Sequence, residues 1–68
     1  MDKYILTKRE KEVFKLLVTN KTTKEIAEIL NISEKTVRNH ISNVIIKLDV
    51  NNRSSAILKL IVMKELSL

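Results

Sequence analysis

The chain has no cysteine, glycine, proline or tryptophan, and its only aromatic residues are one Tyr and one Phe. Each absence closes a route. Without cysteine no disulfide can brace a small fold, and one histidine, His40, cannot make a metal site, so neither a metal nor a cofactor is expected. Without glycine there is no phosphate-cradling loop, and helices that would end on glycine must end on something else. Charges break every apolar stretch well before the roughly 20 residues that a membrane span requires. The opening MDKYILTKREKE has too few aliphatic residues for a signal peptide. No membrane partner is expected, and the lack of cysteine fits a reducing cytoplasm.

What remains is 68 residues with 13 Lys and Arg against 8 Asp and Glu, a net charge of +5. The length implies one domain over 1–68, with 1–5 as a loose N-terminal arm. So short a chain buries only about 60% of its unfolded surface. With disulfides and metals excluded, self-association is the remaining way to add stability. The chain opens with Met and shows no tag or linker, so the expectation is a complete small protein rather than an effector domain parted from its sensor. The basic balance suits a polyanion, although a lysine-rich helical surface is often only solvated.

Four helices and no strand are predicted. The first starts at Thr7, whose spacing to Glu10 is that of a capping box; Val13, Phe14, Leu16, Leu17 and Val18 make its apolar face, and Asn20 stands where a closing glycine would. The second spans Thr23 to Leu30, opened by the pair Thr22 and Glu25, with Ile26, Ala27 and Leu30 inward. After the turn Asn31–Ile32–Ser33 comes the third, Glu34 to Leu48, capped by Ser33 and burying Val37, Ile41, Val44 and Leu48. One stripe cannot bury both Ile45 and Ile46, so one of them is expected to meet the fourth helix or a partner copy. Asn31 is the residue expected to take up any left-handed backbone, and Asp49 sits where the chain must turn, again in place of a glycine. The fourth helix, Arg53 to Lys64, is capped by Asn52 and apolar nearly all round. Ala56, Ile57, Leu60 and Ile61 can pack inward, which leaves Leu58, Val62 and Met63 uncovered. A second copy of the chain is the expected cover, with Leu58, Ile61, Val62 and Met63 at the contact.

A short supporting helix, a tight turn and a longer helix with a basic, amide-bearing front form the pattern of a helix-turn-helix. Arg pairs bidentately with guanine and Asn with adenine, so Arg38, Asn39 and Ser42 on the outward face of the third helix are the expected base readers. Their alternative is a merely solvated surface. Thr22, Thr23 and Lys24 sit at the start of the second helix, where backbone amides attract phosphate.

The stretch Leu6 to Ala56 resembles the LuxR/FixJ-type helix-turn-helix family. The pattern is carried by Leu6-Thr7, Arg9-Glu10, Val13, Lys24-Glu25-Ile26-Ala27, Leu30, Ile32-Ser33, Thr36-Val37, His40, Lys47-Leu48, Val50, Asn52-Arg53 and Ala56. Asn20 and Asp49 depart from it, standing where the family has glycines. The resemblance implies a compact all-α fold, contact with double-stranded DNA through the major groove, and phosphate contacts from Lys35, Thr36, His40, Asn43 and Lys47. For His40 the alternative is a half-buried residue that orients its helix. Within the family the segments TKREKEVFKLL, KTTKEIA and ISEKTVRNHISN and the short tail ending in KELSL are most similar to small stand-alone regulators of late sporulation and spore-coat genes. That implies a cytoplasmic, nucleoid-associated protein of the mother-cell compartment.

The expected function is therefore a homodimeric, sequence-specific regulator on a pseudo-palindromic site. Activation would require contact with RNA polymerase, whereas repression requires only occlusion. The competing reading is a protein-interaction module whose fourth helix binds another protein. An enzyme is disfavoured, because no nucleophile stands beside a base and no metal cluster is visible; no catalytic residue is assigned.

Overall fold

The computed structural model describes residues 6–66. The N-terminal arm read at 1–5 lies outside the described residues. Four helices follow one another: α1 Lys8–Val18, α2 Thr23–Leu30, α3 Glu34–Leu48 and α4 Arg53–Val62. Among the described residues there is no strand.

Every helix starts where a side chain can receive its unpaired amides. Thr7 accepts from the Glu10 amide at 3.2 Å while Glu10 Oε1 accepts from the Thr7 amide at 3.0 Å. Thr22 and Glu25 repeat this reciprocal pair at 3.1 and 2.9 Å. Ser33 Oγ accepts from the Thr36 amide at 3.0 Å, and Asn52 Oδ1 from the Ser55 amide at 2.8 Å.

The helix ends share one solution as well. Asn20, Asn31, Asp49 and Lys64 all have positive φ, between 55° and 68°. After each, the next amide reaches back five residues: Lys21 to Leu16, Ile32 to Ala27, Val50 to Ile45 and Glu65 to Leu60. These are the bonds of the Schellman motif, made here without glycine. Asn and Asp tolerate this backbone because a short polar side chain can bond locally; lysine has no such relief, at a cost of about 1 kcal/mol. Lys64→Gly is therefore expected to raise the thermal midpoint by about 2–8 °C. An unchanged or lowered midpoint in a melting curve would remove the strain assigned to this turn.

The fourth turn corrects the sequence-based boundary. Helix α4 ends at Val62 rather than Lys64, because Met63 caps it and the left-handed Lys64 turns the chain. The turn carries Leu66 back into the core, a burial the periodicity of α4 does not announce. Val13, Phe14, Ile26, Val37, Val44 and Leu60 are fully buried, and Ile32 and Ile45 pack partly against them. Helix α3 is the hub, packed against α1, α2 and α4. The face it does not use for packing is the face that matters next.

Candidate nucleic-acid interface

Two tethers hold α3 in place. Lys47 Nζ donates to Glu10 Oε1 at 2.6 Å, linking the end of α3 to the start of α1 across 37 residues of sequence. Glu10 is 4% exposed. Burial pushes its carboxyl up. The bond from Lys47 and the bond from the Thr7 amide outweigh that, so its pKa lies below the ordinary 4.5. From α4, Lys59 Nζ donates to the Leu48 carbonyl at 2.8 Å, satisfying an unpaired acceptor at the end of α3. The orientation of α3 thus rests on polar bonds to two helices as well as on the core.

The sign of the Glu10 shift makes a prediction. A carboxyl whose native pKa is depressed contributes stability that is fully present above its unfolded value of 4.5 and is lost as pH falls through the lower native value. Glu25, held by the Thr22 amide, is shifted the same way. Thermal midpoints should be flat with respect to these two groups from pH 7 to about 5 and fall below that range. A midpoint that rose on acidification from pH 5 to 3 would contradict the assignment.

On the outer side of α3, Arg38, Asn39 and Ser42 are exposed, as are Lys35 and Asn43. Thr36 and His40 are half-buried along the edge of this surface. Arg38 pairs with Glu34 one turn back, at 3.5 Å, with more than half of its side chain open to water. An exposed pair of this kind is worth under about 1 kcal/mol, so the guanidinium is readily exchanged to a stronger acceptor. The Thr36 hydroxyl lies 2.9 Å from Ser33 Oγ at the α3 N-terminus.

The start of α2 is less open to anions than its sequence suggests. The Thr22 and Glu25 amides are already engaged in their reciprocal cap, and the Glu25 carboxylate sits at that terminus. Lys24 is exposed and Thr23 half-buried beside it. Lys47, grouped from the sequence with the phosphate contacts, is engaged by Glu10. That pairing was not legible locally, since nothing in either helix names a partner so distant in the chain. The exposed large apolar residues fall on three helices and one cap: Ile29 on α2, Ile46 on α3, Leu58 and Val62 on α4, and Met63 just past its end. Leu58 and Val62 are 64% and 74% exposed and one turn apart. Ile61, grouped with them from the sequence, is half-buried against the chain's own core.

No helix among the described residues is long and apolar enough to cross a membrane, and no group of three or more metal-ligating side chains is gathered there. Residues 4–60 match the family described as GerE, bacterial regulatory proteins, luxR family. The chain is 65% identical over 66 residues to Spore germination protein GerE of Bacillus subtilis (strain 168), covering 97% of this chain and 89% of that one. It is 47% identical over 56 residues to the transcriptional regulatory protein DegU of Brevibacillus brevis, covering 82% of this chain but 24% of that longer regulator. The solved structure of the transcription factor GerE superposes with a TM-score of 0.93 at 58% identity, covering 96% of this chain and 97% of that one. This chain belongs to the luxR family of bacterial regulatory proteins, and its four helices form a domain whose α2 and α3 are the DNA-binding helix-turn-helix of a transcriptional regulator, not of an enzyme.

Proposed function

We propose that this protein, one domain over 1–68, acts as a homodimer that binds a pseudo-palindromic DNA site and regulates late sporulation and spore-coat genes. The observation that carries the reading is the outer surface of α3. Arg38, Asn39 and Ser42 stand exposed there while the opposite side of the same helix is buried. Those side chains read base edges, with Arg38 releasing Glu34 to take a guanine bidentately. Lys35, Thr36, His40 and Asn43 flank them along the phosphates, and Thr22, Thr23 and Lys24 approach the backbone from α2. Lys47 fixes the orientation of α3 through Glu10 and brings positive charge near the same backbone.

The second copy docks on α4. Leu58 and Val62 form an apolar strip that the chain does not cover, with Met63 at its end and Ile61 at its inner margin. Pairing these strips about a two-fold axis presents two α3 helices to successive major grooves, with half-site centres about 10 base pairs or a multiple apart. The sporulation role follows the similarity to Spore germination protein GerE. The same similarity supports a cytoplasmic, nucleoid-associated protein of the mother cell. Activation at its promoters would add a contact with RNA polymerase.

The test is selection of bound duplexes from a randomised library at near-physiological salt. A motif of two inverted half-sites is expected. Arg38→Ala should relax preference at one position in each half-site, at a cost of about 1–3 kcal/mol. Binding without sequence preference that vanishes as salt rises would refute the reading. Unchanged preference in Arg38→Ala would refute the role of that residue.

A further inference from the structure

We propose that Ile46 is a specificity-determining residue that takes the C5 methyl of a thymine in the major groove. The inference rests on the DNA-reading function proposed above and extends it by one turn of α3. Ile46 is 75% exposed, while Val44 and Leu48 on either side of it are buried and Ile45 packs partly into the core. The exposed isoleucine is therefore held in place by a helix whose other faces are committed. Its register is the informative part. Lys35, Asn39, Ser42 and Ile46 follow one another at steps of four, three and four residues, which is one stripe of an α-helix. Asn39 and Ser42 are the reading residues of that stripe, so Ile46 continues the same surface.

Distance and chemistry agree with this placement. Four residues of helix advance about 6 Å, so Ile46 lies about 12 Å along the axis from Arg38, a span of about three to four base pairs for a helix that follows the groove. When the front of α3 is seated in the groove, Ile46 meets the base pairs at the end of the half-site served by the C-terminal half of the helix. It has no donor or acceptor to offer a phosphate. On the major-groove edge the apolar feature is the thymine methyl. A β-branched side chain, restricted at χ1 in a helix, meets that methyl with little further loss of freedom. The apolar strip proposed for the second copy belongs to a different helix, α4, and does not need Ile46.

The experiment uses the duplex recovered by selection and replaces its thymines one at a time with deoxyuridine, which removes only the C5 methyl. In wild-type protein, one thymine per half-site, outside the position that depends on Arg38, should lose about fourfold in affinity when demethylated. Substituting both half-sites together should cost about 15-fold, because distant sites add. Ile46→Ala should bind the thymine and deoxyuridine duplexes equally well, and Arg38→Ala should keep the methyl dependence. Since Ile46 is exposed, Ile46→Ala should melt with the wild type, which separates lost contact from lost fold. The proposal is overturned if no thymine methyl matters to the wild type, or if the same methyl matters equally to Ile46→Ala. It is overturned too if Ile46→Ala alters only pairing of the two copies. A selection that yields no motif removes the reading surface itself, and this residue's role with it.

Discussion

Leu58→Asp should lower affinity for a duplex carrying both half-sites by about 10²–10⁴-fold while leaving affinity for a single half-site nearly unchanged. The size follows from effective concentration. In the proposed dimer, two reading domains joined by their α4 strips would bind the second half-site as an intramolecular event, and that advantage would disappear when the strips no longer associate. Leu58 is 64% exposed, so the aspartate enters water in the isolated chain and the fold survives. In the pair it would face its own counterpart across the two-fold axis, placing two carboxylates in an apolar contact. Sedimentation and binding to one-site and two-site duplexes measure the two halves of the effect. If Leu58→Asp kept full affinity for the two-site duplex but lost a complex with a different protein, α4 would be an interaction surface for that protein instead.

Lys47→Met should lower stability at neutral pH by about 2–3 kcal/mol. Removing one partner of a fully buried ion pair costs about 3–5 kcal/mol. The Lys47 side chain is 35% exposed, so solvent already screens part of the attraction, and Thr7 continues to donate to Glu10. For a domain of this length the loss corresponds to a fall of about 8–24 °C in the melting midpoint. The pH dependence identifies the cause. Without Lys47 the native pKa of Glu10 moves up, and below that value the neutral acid no longer needs a cation. The gap between variant and wild type should therefore narrow as pH is lowered from 7 toward 3. A gap that stayed constant would show that Lys47 contributes through the packing of its methylene stem rather than through the ion pair. Because the pair sets the register of α3 on α1, the variant should also lose some base discrimination under conditions where it remains folded.

Much of the site is readable in the linear chain because its causes are local. Thr7, Thr22, Ser33 and Asn52 each announce a helix start, since a cap is made with residues three positions on. Asn20, Asn31 and Asp49 announce left-handed helix ends because few other residues accept that backbone. The buried stripe of α3 follows from its period, and with it the outward position of Arg38, Asn39 and Ser42. Ile46 was within reach of the same spacing, but an isoleucine in an apolar run reads first as core. Periodicity could say only that Ile45 and Ile46 do not share one fate.

The sequence by itself thus determined four helices, their order, and which side chains α3 turns outward, since these depend on residues within a turn or two of one another. Only the tertiary structure decided what holds α3 in place and what α4 leaves bare. Glu10 and Lys47 are 37 positions apart, and Lys59 finds the Leu48 carbonyl 11 positions away. Leu66 is buried by a turn on Lys64, a residue with no intrinsic preference for left-handed backbone. Such pairings depend on where helices cross in space. The period of a single helix records which of its faces is apolar, but carries no address for the residue that will meet it.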